Sequence, residues 1–242
     1  MIKRNDVGGN GEVGIRVRAR VREAGGTARI TDVMVQENNV YDNDEGGIRL
    51  DARDLGATND LNRVENNHVS SNLEEGIGVG ARDGGVATEN QVLNNHVGNN
   101  TDSGIFLFAR DSGSVDNNKV ELNTVFGSFD GIVLLAIDSG VVEDNKLEDN
   151  TMNDNTSSGI ILFDPTGGIT DNEIDDNSAT GNGLNGFAAL TGTGVNLFHQ
   201  NRSNANGGRG YFDDGVPVNI YDDNQCNFNE DGTSFPVGLC SP

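Results

Sequence analysis

Basic residues are scarce. The chain has 242 residues and carries 16 Lys+Arg against 38 Asp+Glu, a formal net charge of −22. Such a charge repels phosphate backbones and argues against a nucleic-acid partner. Lysine is nearly missing: Lys3, Lys119 and Lys146 stand against 13 arginines, and aspartate outnumbers glutamate 25 to 13. Acidic, Asp-rich, Lys-poor surfaces suit molar salt, where the Debye length falls to about 3 Å and dense like charge is tolerated. A halophilic source is therefore one expectation and an ordinary acidic secreted protein the other. Long apolar runs are lacking too. The longest, residues 132–137, is far short of the roughly 20 residues that span a bilayer, so no membrane insertion is expected. No apolar segment follows the basic pair Lys3-Arg4, so no secretory signal is read in this chain. Two cysteines, Cys226 and Cys240, are too few for a disulfide scaffold. No stretch has a convincing helical period.

What is present is enough for a core. Hydrophobic residues make up 34% of the chain; adding 34 glycines and removing three tyrosines gives about 47%, within the globular range. One motif recurs, apolar-x-x-Asn-x-apolar-x-x-Asn. Its first Asn falls at Asn38, Asn67, Asn95, Asn118, Asn145, Asn172, Asn201 and Asn224, and a second follows five residues later each time, from Asn43 to Asn229. A second signature, Gly followed by an apolar residue, opens segments at Gly14, Gly47, Gly76, Gly104, Gly131, Gly159, Gly186 and Gly210. Those segments alternate with period two, the mark of a strand. Spacings of 29, 28, 23, 27, 27, 29 and 23 between first asparagines indicate a solenoid whose coils pair edge to edge at about 4.8 Å. Asn suits the corners because it tolerates the left-handed conformation and its amide stacks in ladders. Parallel crossovers favour the right hand. The expected fold is all-β: a right-handed, single-stranded parallel β-helix of about eight coils with three parallel sheets. It is expected as one domain over 1–242, with repeat coils at 14–230 and a capping tail at 227–242. Residues 1–14 read as part of a coil without a cap, as in a fragment of a longer secreted protein.

Units such as GIFLFARDSGSVDNNKVELN and GIVLLAIDSGVVEDNKLEDN resemble the right-handed parallel β-helix superfamily of pectate lyases, alginate lyases and epimerases, NosD-like periplasmic proteins and phage tailspikes. The resemblance covers residues 14 to about 230. It implies the fold and, beside inserted loops, a substrate groove; fold alone does not imply an activity. Insertions are read at 124–130, 151–158 and 178–185, and at another corner at 54–61 and 83–89.

On the strands after each Gly, outward positions change along the axis from Arg16, Arg18, Arg49 and Asp51 to Phe106, Phe108, Val133, Leu135, Ile161, Phe163 and Leu190. Monomers rarely expose so large an apolar patch. It is covered by inserted loops carrying Phe126 and Phe129, or mediates a homo-oligomer, or binds a sugar ring. Six residues after the Gly stand Arg20, Arg53, Arg82 and Arg110, followed in three cases by Asp54, Asp83 and Asp111. This is either a solvated, self-neutralising ridge or a set of arginine forks for the carboxylates of a polyuronate. The candidate substrate-binding residues are Arg49, Asp51, Arg53, Arg82, Arg110, Phe106 and Phe108. Catalytic residues are not identified. The Gly-His-Gly turn of polygalacturonases is absent, and Asp164-Pro165-Thr166-Gly167 lacks the His and acid of the epimerases' Asp-Pro-His-Glu. No cofactor is required; calcium could sit at Asp175/Asp176, Asp213/Asp214 or Asp222/Asp223, although Asp pairs are common in turns. His68 and His96 share one column, continued by Lys119, Lys146, Glu173 and Arg202, and His199 has no evident partner. No metal ligand set is assigned. Three methionines and three histidines speak against NosD-like copper handling. A Cys226–Cys240 disulfide would pin the tail over the open end and imply an oxidising compartment.

The functional expectation is an extracellular or cell-surface module that binds polysaccharide or serves as a scaffold. A polyuronate lyase, epimerase or hydrolase is the alternative, and a self-assembling adhesin or tailspike-like protein the second alternative.

Overall fold

Strands of three residues cannot satisfy their own backbone, so each coil must bond to the coils above and below it. The computed structural model describes residues 1–23, 25–165, 168–214 and 219–242. Among these, every regular element is a strand. Three parallel nine-stranded sheets run along the molecule, one strand per coil, close to the eight coils expected. The first sheet begins at Ile2–Lys3 and ends at Ile220–Asp222; the second runs from Asp6–Gly8 to Gln225–Asn227; the third runs from Ile15–Arg20 to Ser234–Phe235. A fourth sheet, six-stranded, runs from Ala28–Thr31 to Ile169–Thr170.

The alternation after each Gly places one column inside. Ile15, Ile48, Ile77, Ile105, Ile132, Ile160, Phe187 and Tyr211 are in register on the third sheet, all buried. Valines of the other sheets, such as Val64, Val92 and Val120, fill the space opposite. At about 25 cal/mol per Å² this apolar burial is the main stabilising term.

The corners are asparagine ladders. One joins Asn38, Asn67, Asn95, Asn123, Asn150, Asn177, Asn201 and Asn224, each Nδ2 donating to the next coil's Oδ1 at 2.9–3.2 Å. A second joins Asn62, Asn90, Asn118, Asn145, Asn172, Asn196 and Asn219. A third passes from Asn43 through Asn72 and Asn100 to Ser128, and on through Asn155 and Asn182 to Asn206. Among the described residues, the residue before most ladder positions takes the left-handed turn, as at Asn94 (φ 49), Asp149 (φ 53) and Asp176 (φ 49), Val195 before Asn196 being an exception. The ladder Asn itself does not; its role is to bond between coils. Separation along the first ladder shrinks steadily, from 29 and 28 residues to 24 and 23. The coils lose length where the fourth sheet stops.

This register corrects the column read from sequence. Each coil carries asparagine corners five residues apart, as at Asn90, Asn95 and Asn100, so a five-residue slip matches the motif equally well. Asn118, Asn145 and Asn172 therefore belong with Asn90, not with Asn95. The insertions read at 124–130, 151–158 and 178–185 contain regular strands of the second sheet, Thr124–Phe126, Thr151–Asn153 and Ser178–Thr180. Those at 54–61 and 83–89 contain strands of the fourth sheet, Ala57–Asp60 and Val86–Thr88. Phe126 lies on the second sheet against His96, ring centroids 4.7 Å apart, and Phe129 is exposed.

Cys226 and Cys240 are joined by a disulfide, Cα–Cα 5.9 Å. The tail adds Ser234–Phe235 to the third sheet beside Tyr211 and Phe212, and Cys226 N donates to Ser241 O at 2.8 Å. The last coil is thus covered by the tail.

Candidate functional site

Three outward columns form the exposed face of the third sheet. The first runs Arg16, Arg49, Gly78, Phe106, Val133, Ile161; the second Arg18, Asp51, Gly80, Phe108, Leu135, Phe163, Leu190; the third Arg20, Arg53, Arg82, Arg110, Ile137. Charge gives way to apolar surface along the axis. The transition is at the strand Ile77–Arg82, both of whose inner outward positions are glycine. A Cβ on Gly80 would overlap the Phe108 ring, and one on Gly78 would stand 2.8 Å from Glu75 Oε1. The glycines make a recess into which Phe108 and Glu75 fold.

A cavity of about 380 Å³ opens there, lined by Arg49, Arg82, Arg110, Phe106 and Phe108, with Leu135 and Ile137 on the apolar side and Glu45, Glu74, Glu75 and Asp102 on an acidic rim. Five of the seven sequence candidates are thereby brought together. Asp51 is fully buried beneath them, bonded to Arg18 Nε at 2.6 Å and 3.6 Å from Arg82. Arg53 pairs with Asp83 at 3.2 Å and lies outside the lining. The acidic rim was not singled out. Its signal is positional: Glu45, Glu74, Glu75 and Asp102 each stand one or two residues before a strand-opening Gly.

The arginines are not equivalent. Arg49 is clamped by Glu75 at 2.6 and 2.8 Å and by Glu74 at 2.9 Å; burial opposes its charge, but the two glutamates raise its pKa above the usual value. Among the described residues, Arg82 has no carboxylate within hydrogen-bonding distance, and its Nε is buried and unpartnered. Its guanidinium lies 5.4 Å from the centroid of Phe108, itself stacked on Phe106 at 5.1 Å. Burial lowers the Arg82 pKa, partly countered by Asp51 and reinforced by Arg110, Arg53 and Arg49. Arg110 reaches Asp111 at 3.4 Å, both half exposed. Across the cavity, burial, Asp130 and Glu74 push the Asp102 carboxyl up. The arrangement offers an under-neutralised cation, a paired aromatic surface and a carboxyl that holds its proton to higher pH than usual.

The other candidates are placed elsewhere. His68 and His96 stack at 5.2 Å on the second sheet, but their column continues to Thr124, Thr151, Ser178 and Arg202. Lys119, Lys146 and Glu173 belong to the first sheet. His199 does have a partner, Asp175, at 2.8 Å. The acidic pairs are split by the strand. Asp213 is buried and accepts from Tyr221 and Asn219 at 2.9 Å. Asp176 and Asp223 take left-handed corners. Thr166 and Gly167 of the Asp164–Gly167 run lie outside the described residues.

The right-handed β-helix region model matches residues 1–125 and 31–203. By sequence, no curated protein matches. Among solved structures, the chain is similar to the A-module of the Azotobacter vinelandii mannuronan C-5 epimerase AlgE4, at 16% identity and TM-score 0.62, covering 88% of this chain and 57% of that one. It is similar to the periplasmic alginate epimerase AlgG, at 14% identity and TM-score 0.58, covering 93% and 66%. It is also similar to a GH87 α-1,3-glucanase catalytic domain in complex with nigerose, at 13% identity and TM-score 0.54, covering 98% and 54%. The chain therefore spans roughly half to two thirds of these structures' own length.

Proposed function

The chain belongs to the right-handed β-helix family, and from that premise we propose that it binds an acidic polysaccharide, in an extracellular setting, through the groove on its third sheet. The observation that carries this reading is Arg82: mostly buried, unpaired at Nε, set over the Phe108 ring and facing a cavity. A uronate carboxylate completes its hydrogen bonds, and the sugar face packs on Phe106 and Phe108. Similar structures named as a mannuronan C-5 epimerase and an alginate epimerase support the substrate class. Long-range repulsion from a charge of −22 opposes a polyanion, so contact depends on the local arginines and is helped by screening over about 10 Å at 0.1 M salt.

The test is affinity electrophoresis and calorimetry with alginate, polygalacturonate and a neutral α-glucan. The two polyuronates should bind and the neutral glucan should not. Arg82→Ala should weaken binding at least tenfold, since a charge-assisted hydrogen bond contributes about 1.5–3 kcal/mol. Equal binding of the neutral glucan, or an unaffected Arg82→Ala, overturns the reading.

One observation favours a second reading, catalysis on the same ligand. Asp102 lines the groove with its carboxyl pushed up by burial and by Asp130 and Glu74, as suits a proton donor. Shortened or unsaturated products from polyuronate, lost in Asp102→Asn while binding persists, would establish it.

A further inference from the structure

We propose that His199, Asp222 and Asp223, at the last coils of the first sheet, bind a divalent transition-metal ion such as Zn²⁺. These residues offer one imidazole nitrogen and two carboxylate oxygens, all within 4.8 Å of one another. Parallel pairing produces the juxtaposition. Glu148, Asp175, His199 and Asp222 are in register on successive coils, so their outward side chains stack about 4.8 Å apart. Asp223 follows at the corner with φ 50, and that left-handed turn swings its carboxylate back beside Asp222.

The imidazole is already oriented. Its Nδ1 lies 2.8 Å from Asp175 Oδ1, which fixes the ring and leaves Nε2 on the side of Asp222. Nε2 is 3.8 Å from Asp222 Oδ2. That separation is too long for a hydrogen bond, and it is near the roughly 3.4 Å that two ligand atoms span across an ion bound at about 2.1 Å to each. A carboxylate behind a histidine whose other nitrogen faces further ligands is the arrangement that raises ligand basicity in metal sites. Asp175 is thus a positioning residue; its other oxygen is 3.9 Å from Lys146 Nζ, which keeps it on the far side of the ring. The donor set selects the ion. Imidazole with carboxylates suits Zn²⁺ and its first-row neighbours, whereas Ca²⁺ takes oxygen ligands alone. The exposed flank leaves room for water to complete the coordination.

The test is calorimetry and imidazole NMR on the intact chain, using Zn²⁺ and, separately, Ca²⁺. Zn²⁺ should bind with one-to-one stoichiometry and shift the His199 ring signals, leaving those of His68 and His96 in place. His199→Ala should abolish the binding, and Asp175→Asn should weaken it about tenfold. Circular dichroism of each variant checks the fold; the wild-type NMR shift reports on the site without any substitution. The proposal is overturned if His199 does not respond to Zn²⁺ at about 1 mM, if His199→Ala retains the affinity, or if Ca²⁺ binds as tightly and survives that substitution.

Discussion

Ser128 interrupts an asparagine ladder, and repairing it should stabilise the protein. Asn43, Asn72 and Asn100 lead up to this position, and Asn155, Asn182 and Asn206 continue beyond it. Ser128 performs the backbone half of the ladder's work. Its Oγ accepts from Asn100 N at 3.2 Å, and its own N donates to Asn155 Oδ1 at 3.1 Å. It cannot serve the side-chain half, so Asn100 Nδ2 is buried without a partner. An unsatisfied buried donor costs about 1–3 kcal/mol. In Ser128→Asn the new Oδ1 accepts from Asn100 Nδ2 and the new Nδ2 donates to Asn155 Oδ1. Ordering the longer side chain offsets up to about 1 kcal/mol, so from the middle of that range, about 2 kcal/mol, a gain of about 1–2 kcal/mol remains. In a chain of this length that raises Tm by roughly 2–8 °C. The reciprocal change, Asn123→Ser in the neighbouring intact ladder, removes bonds to Asn95, Asn150 and Val92 O at 2.9–3.0 Å and should cost about 2–3 kcal/mol. Thermal melts of both variants make the assay. A Ser128→Asn protein that melts at or below the parent, beside a neutral Asn123→Ser, refutes the hydrogen-bond account of the corners.

Three further outcomes are expected. Burial raises the pKa of Asp130 above 3.8, although Ser158 N and the Ser157 side chain bond to it; its stability contribution is complete below 3.8 and lost as pH rises through the native value. Asp130→Asn should therefore flatten the acid-side stability profile and raise the melting temperature at neutral pH, and an unchanged profile counts against it. Reducing the Cys226–Cys240 bridge, whose separation is 14 residues, should cost about 3 kcal/mol by the loop-closure model, read as a lower urea midpoint in reductant. If self-repulsion of the −22 charge limits stability, Tm should climb with KCl towards 1 M and then level as the Debye length reaches about 3 Å; a flat curve removes the expectation of salt adaptation.

The inner column from Ile15 to Tyr211 was legible because one Gly marks the start of each strand and alternation does the rest. The arginine column was legible for the same reason, since Arg20, Arg53, Arg82 and Arg110 sit at a constant offset from that Gly. The ladders were legible as a motif but not as a register. Corners five residues apart present the same local sequence, so Asn118 fits beside Asn95 as well as beside Asn90, and the choice rests on inter-coil pairing. The fourth sheet was hidden for a related reason: its strands, such as Val86–Thr88, follow the turns at Asp83 and Gly84 and look like insertions. Asp175 and His199 meet because their coil is 24 residues long rather than 27, which no local pattern announces. The acidic rim of the groove comes from turn residues, where alternation carries no information.

The acidity has a local cause that bears on the groove. Among the described residues, twelve of the 25 aspartates have positive φ, whereas only Glu37 and Glu89 among the glutamates do. Asp tolerates the left-handed region because its short side chain bonds locally, and Glu gains no such bond. A solenoid with several corners per coil therefore accumulates aspartate whatever its solvent, and the Asp excess is first a property of the turns. The arginines follow a different rule. Arg16, Arg18, Arg49, Arg53, Arg82 and Arg110 gather on the outer face of the third sheet, away from the asparagine corners. Most are matched there by carboxylates, as Arg49 is by Glu74 and Glu75. At Gly78 and Gly80 the strand supplies no outward side chain, the matching fails, and Arg82 is left with Asp51 at 3.6 Å.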